Sequence, residues 1–150
     1  MEIVRHEMGG RFSEMVVTKI GDTNLIVLAG QVAENTSLGV EGQMREILRF
    51  IDRLLAHVCA DKTNILSARI YLASVGDYAV MNSVWDDWVP KGHTPARSTV
   101  GAKLIRPEYK IEIEVTAVAN AVNHAHDHGG HHGVDEHCVA VDSEETNAKK

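Results

Sequence analysis

No run of apolar residues in this 150-residue chain approaches the roughly 18 to 20 that a membrane span requires. The opening stretch, Met1-Glu2-Ile3-Val4-Arg5-His6-Glu7, lacks the apolar centre of a signal peptide. No membrane partner is expected, and the expected location is the cytoplasm. Cysteine is almost absent: Cys59 falls in an apolar helical stretch and Cys138 near the C-terminus, so no disulfide framework is implied and reduced thiols are the simpler reading. Basic charge is also short, with 15 Lys and Arg against 21 Asp and Glu, a net charge of -6. With no basic stripe interleaved by aromatics, nucleic acid is not an expected partner. Nor is there a Gly-x-Gly-x-x-Gly or Walker loop, a Gly-x-Ser-x-Gly elbow or a His-Glu-x-x-His helix, so nucleotide binding, serine hydrolysis and zincin chemistry have no support.

What is present suffices for one core, since 44% of the residues are hydrophobic. Glu14 to Ile20 and Leu25 to Val32 are rich in β-branched residues around Gly21-Asp22-Thr23-Asn24, which predicts a hairpin. Met44, Ile47, Leu48, Ile51, Leu54, Leu55 and Val58 recur at three- and four-residue intervals and predict an amphipathic helix. Ile65 to Ala73 alternates as a strand does. A second helix is predicted after Asp77 as N-cap, with Tyr78, Met81, Trp85 and Trp88 sharing one face, ending at Pro90. Ala96 to Leu104 and Lys110 to Ala119 read as further strands, and Glu2 to His6 as one more. The expected fold class is α+β, a single mixed sheet with both helices on one face. Its other face is then left for solvent or a second subunit.

The periodicity stops at Asn120. Residues 1–120 are read as the folded domain and 121–150 as a disordered, acidic, His-rich tail. His124, His126, His128, His131, His132 and His137 lie close to Asp127, Asp135, Glu136 and Cys138. Imidazole favours zinc, nickel and copper, so these six are the candidate metal ligands, weighed against a low-complexity extension with no selected metal.

Chemistry concentrates in Thr94-Pro95-Ala96-Arg97-Ser98-Thr99-Val100 and Lys110-Ile111-Glu112-Ile113-Glu114. An arginine at the mouth of a strand can hold a carboxylate through two parallel hydrogen bonds. Glu112 can move a proton if a neighbouring strand brings it near. The plainer alternatives are a surface or interface ion pair for Arg97 and the wet face of an alternating strand for Glu112 and Glu114.

Four segments, Ala29-Gly30-Gln31-Val32, Met81-Asn82-Ser83-Val84-Trp85, Pro95 to Val100 and Lys110 to Glu114, resemble the Rid family in order and spacing. The run Asp87-Trp88-Val89 with Gly92-His93-Thr94-Pro95-Ala96-Arg97 is similar to its YoaB-like branch. The resemblance implies a chorismate-mutase-like fold, a homotrimer with clefts between subunits, and hydrolysis of enamines and imines (2-aminoacrylate, 2-iminobutanoate, 2-iminopropanoate) to 2-keto acids and ammonia without a cofactor. It implies that Arg97 anchors the carboxylate of the imine or keto acid and that Glu112 activates water. Asn82, Gly30, Gln31, Phe12 and Thr99 would line the cleft. Phe12, Ala29 and Thr99 depart from the family's usual tyrosine, serine and cysteine. The alternative is a non-catalytic trimeric metabolite-binding or regulatory protein with a metal-binding tail; a ribonuclease is a third reading, opposed by the acidic balance.

Overall fold

The computed structural model describes residues 1–121. Six strands form one mixed sheet: β1 (Ile3–Met8), β2 (Ser13–Ile20), β3 (Thr23–Leu28), β4 (Ile65–Leu72), β5 (Ala96–Gly101) and β6 (Ile111–Asn120). Their spatial order is β1-β2-β3-β6-β4-β5. Only β4 and β5 run parallel, joined by a crossover through the second helix; the other neighbours are antiparallel. The two helices are α1 (Val40–His57) and α2 (Tyr78–Trp88).

The α1 stripe predicted from periodicity is buried: Met44, Ile47, Leu48, Ile51, Leu54 and Leu55 pack on the sheet side occupied by Met15, Val17, Ile26, Leu28, Ile70, Ile111, Ile113 and Val115. Both helices therefore cover one face, because each strand turns every second side chain to the same side. The alternating partners on the open face are not all polar. Two cross-strand apolar pairs, Val16 with Val27 and Leu25 with Val118, form a stripe there, their rows completed by Thr116 and Thr18, with Val27 43% exposed. No helix covers it among the described residues.

Several boundaries differ from the periodic reading. The hairpin turn is tighter than Gly21 to Asn24, since Thr23 and Asn24 already pair with Ile20 and Lys19; Gly21 supplies the turn's positive φ of 60°. β5 stops at Gly101, where a Cβ would lie 2.7 Å from Val75. Asp77 holds the N-cap position of α2 without a side-chain cap, because a short 3-10 turn over Val75–Asp77 leads straight into the helix. Trp85 is core at 5% exposure; Trp88 is only partly buried, its indole Nε1 donating to Asp52 at 3.0 Å. Cys59 sits just past α1 with φ 60°, the left-handed conformation that commonly ends a helix. No helix among the described residues is long and apolar enough to cross a membrane.

Candidate functional site

Two groups of the expected site residues are assembled separately. The first lies where edge strand β5 meets α2. Arg97 stands in register with buried Ala68 of β4, so its side chain leaves the sheet on the helix side. There Nη2 donates to Asn82 Oδ1 at 2.8 Å, Nη1 lies 3.9 Å from Met81 Sδ, and the guanidinium carbon stands 5.4 Å from the Trp85 ring centre. No carboxylate is within ion-pair distance of Arg97 among the described residues. The plain reading as a surface ion pair is thereby set aside: the guanidinium is held by neutral groups and keeps its charge and remaining N–H donors for a ligand. Thr99, two residues on and on the same side, has a buried hydroxyl with no hydrogen-bond partner among the described residues.

The second group lies on the other face of the sheet. Glu112 pairs with Tyr71 of β4 and shares its side, away from the helices. Gly30 forms the wall against it: a Cβ at this position would stand 2.1 Å from Glu112 Oε1. Gln31 fixes that wall. Its backbone exchanges two hydrogen bonds with Ile113, at 2.8 and 3.1 Å, while its side-chain Nε2 donates to Glu14 Oε2 at 2.8 Å and to the Ala29 carbonyl at 3.0 Å. Phe12, 61% exposed, lines a neighbouring hollow with Gly9, Gly10, Arg11 and that same Glu14.

Partial burial, helped by the nearby Glu114 carboxylate, raises the proton affinity of Glu112 above the ordinary carboxylate range. A carboxylate tuned upward is a better base near neutral pH than a free one. Glu114 is not simply a wet strand position. It accepts from the Tyr71 hydroxyl at 2.7 Å and from Arg69 Nη1 at 3.4 Å, and its hydrogen bond pushes the Tyr71 phenol upward. Glu112, Glu114, Tyr71, Ala102, Lys103, Leu104 and Ile105 line a cleft of about 570 Å³.

Arg97 and Glu112 thus cannot meet within one chain, because the sheet itself lies between them. Asn82 and Thr99 go with the arginine; Gly30 and Gln31 go with the glutamate.

Two contributors were missed from sequence. Tyr71 escaped notice as an ordinary strand aromatic. Gln43, fully buried, donates to the carbonyls of Leu38 and Glu108 at 3.0 Å each and accepts from the Lys110 amide at 2.9 Å. It ties α1 to the segment that launches β6, and so sets where Glu112 begins. The available signal was a glutamine four residues before Ile47, on the apolar stripe of α1.

No group of three or more His, Cys, Asp or Glu among the described residues is arranged to hold a metal ion. The six candidate tail histidines, His124 to His137, lie outside the described residues.

A single mixed sheet backed by two helices, with a carboxylate on the open face and a neutral-held arginine on the edge strand, defines a class of small α+β protein. The comparisons specify it. The family described as endoribonuclease L-PSP matches residues 4–119. A RutC family protein of Haemophilus influenzae is 42% identical over 118 residues, covering 78% of this chain and 98% of its own length. The RutC family protein YoaB of Escherichia coli is 39% identical over 117 residues, with the same 78% and 98% coverage. The crystal structure of NMB1025 of Neisseria meningitidis, a member of the YjgF protein family, aligns at 44% identity with a TM-score of 0.73, over 81% of this chain and 98% of that one. A more distant relative from Arabidopsis thaliana, 29% identical over 100 residues (63% of this chain and 53% of its own), is named Reactive Intermediate Deaminase A, chloroplastic. The chain belongs to the YjgF or Rid family, on its YoaB-like side.

Proposed function

We propose that this protein hydrolyses reactive enamines and imines such as 2-aminoacrylate, 2-iminopropanoate and 2-iminobutanoate to 2-keto acids and ammonia, in the cytoplasm, at clefts between the subunits of a homotrimer. The observation that carries the reading is the placement of Arg97 and Glu112 on opposite faces of one sheet. Neither half is a complete site, and a second copy laid on the open face brings an arginine to a glutamate. The apolar stripe of Val16, Leu25, Val27 and Val118 favours such a copy, since subunit contact removes it from water. The name of the Arabidopsis relative points to the same chemistry.

In this reading the Arg97 guanidinium, steadied by Asn82, grips the substrate carboxylate. Glu112 takes one proton from a water as the water oxygen bonds to the imine carbon and passes that proton to the imine nitrogen, giving a neutral carbinolamine. The hydroxyl proton then moves through Glu112 to the amine as the carbon–nitrogen bond breaks and the carbonyl forms, releasing ammonia and the keto acid. The imine carbon is already electrophilic, so orientation and a well-placed base supply most of the catalysis and no cofactor is needed. A non-catalytic metabolite-binding protein is the second reading, favoured by Phe12, which brings no hydroxyl to its side of the cleft.

Mixed subunits provide the test. Arg97→Ala and Glu112→Gln are each expected to abolish turnover of 2-aminoacrylate released in situ by a serine dehydratase. When equal amounts of the two inactive chains are unfolded and refolded together, sites drawing arginine from one chain and glutamate from the other should restore about one quarter of wild-type activity, as random assembly of a symmetric ring requires. An active wild type with no restoration would place the site within one chain. A wild type without turnover, but binding 2-oxobutanoate in an Arg97-dependent way, would leave the binding protein.

A further inference from the structure

The cleft beside Glu112 extends along β6 to Glu114, and two residues of extended chain set its length at roughly 6.6 to 7 Å. Tyr71 and Arg69 both bond to Oε1 of Glu114, and among the described residues Oε2 accepts no hydrogen bond. Two donors on one oxygen fix the carboxylate's orientation and leave the second oxygen as a fixed acceptor. Because Arg69 offsets the charge of Glu114, the free oxygen calls for an N–H donor rather than for a full cation. Lys103 lines the same cleft and brings a donor, while Leu104 and Ile105 provide apolar wall.

A group that both gives N–H and accepts at a carbonyl matches this lining. We propose that the cleft is a side-chain subsite in which Glu114 is the specificity-determining residue, selecting 2-imino acids whose side chain ends in a ureido or carboxamide group. This rests on the imine-hydrolase reading and names its substrate class. The amide N–H₂ donates to Glu114 Oε2, the carbonyl accepts from Lys103, and the methylene stem lies along Leu104 and Ile105. A site built to hydrogen-bond a substrate group disfavours analogues that lack it, because its polar atoms are then left without partners.

The experiment compares two imines made in situ by an amino-acid oxidase, one from citrulline and one from 2-aminobutyrate, on wild type, Glu114→Leu and the exposed control Glu108→Gln. Calorimetric titration with the two corresponding keto acids, which needs no turnover, runs beside it, and the oligomeric state of each variant is measured. Wild type and Glu108→Gln are expected to prefer the ureido imine by about tenfold or more in kcat/KM; Glu114→Leu also removes a charge that tunes Glu112, so its readout is the ratio of the two kcat/KM values, which is expected to fall to about one. Equal loss on both imines, absence of preference in wild type, or dissociation of the oligomer in Glu114→Leu would overturn the inference, the last by making Glu114 an interface residue. If wild type turns over neither imine, the hydrolase reading fails. The subsite then stands on the titrations: preferential binding of the ureido keto acid that depends on Glu114 supports it, and equal or no binding of the two acids refutes it.

Discussion

Gly30 and Glu112 occupy one another's space so closely that a single added methyl group at residue 30 would lie 2.1 Å from the glutamate's Oε1. The strand-like segment after β3 and the start of β6 are therefore coupled through the absence of a side chain. Glycine at 30 is a requirement of the site and not of the backbone, whose φ there is not in the left-handed region.

Gly30→Ala is expected to push the Glu112 carboxyl out of its position. Overpacking of this kind costs about 1–3 kcal/mol of stability, and displacement of a reacting group by an ångström can lower turnover by about a hundredfold. Imine hydrolysis and thermal unfolding measured on the same preparation check both. An active Gly30→Ala variant would mean that Glu112 can work from a different rotamer.

Burial and Glu114 raise the Glu112 proton affinity, so the folded chain holds this proton more tightly than the unfolded chain does. The stability linked to that proton is fully present below the ordinary carboxylate value and is lost as pH rises through the raised one. At pH 7 the ionised group is penalised, and Glu112→Gln removes the penalty. The variant should melt above wild type at pH 7, with the gap closing in acid below about pH 4. Melting curves across that range decide it; a variant less stable at pH 7 would make Glu112 a structural acceptor.

Gln43→Ala should be among the most damaging substitutions away from the site. It strands the Lys110 amide and the Leu38 and Glu108 carbonyls around the position of a fully buried side chain. A loss of about 3 kcal/mol is expected, seen as a fall in Tm of roughly 10–15 °C for a domain of this size. Gln43→Glu is the informative companion, since it keeps the acceptor for Lys110 but buries a charge or a carboxylic acid and should recover little. Denaturant titration of both variants reads the outcome.

The sequence was most legible where one interaction dominates. Alternation in Ile111 to Ala119 and the three- and four-residue recurrence from Met44 to Leu55 follow from burying one side of a regular element, which local spacing records. Edges were less legible: β5 was read through Leu104 yet ends at Gly101, where the neighbouring Val75, distant in sequence, fills the space. Gln43 reads as an interruption of an apolar stripe until its partners at Leu38, Glu108 and Lys110 are seen.

By itself, then, the sequence determined the order of strands and helices, the face each element would bury, and the residue types able to bind a carboxylate and move a proton. Only the tertiary structure decided that Arg97 and Glu112 project from opposite sides of the sheet, that Gly30 forms the wall of the glutamate's position, and that Glu114 is pinned by Tyr71 and Arg69. The physical reason is that periodicity is a local property of the chain, whereas which strands pair, in what register, and which edge meets which helix depend on contacts between residues far apart in sequence.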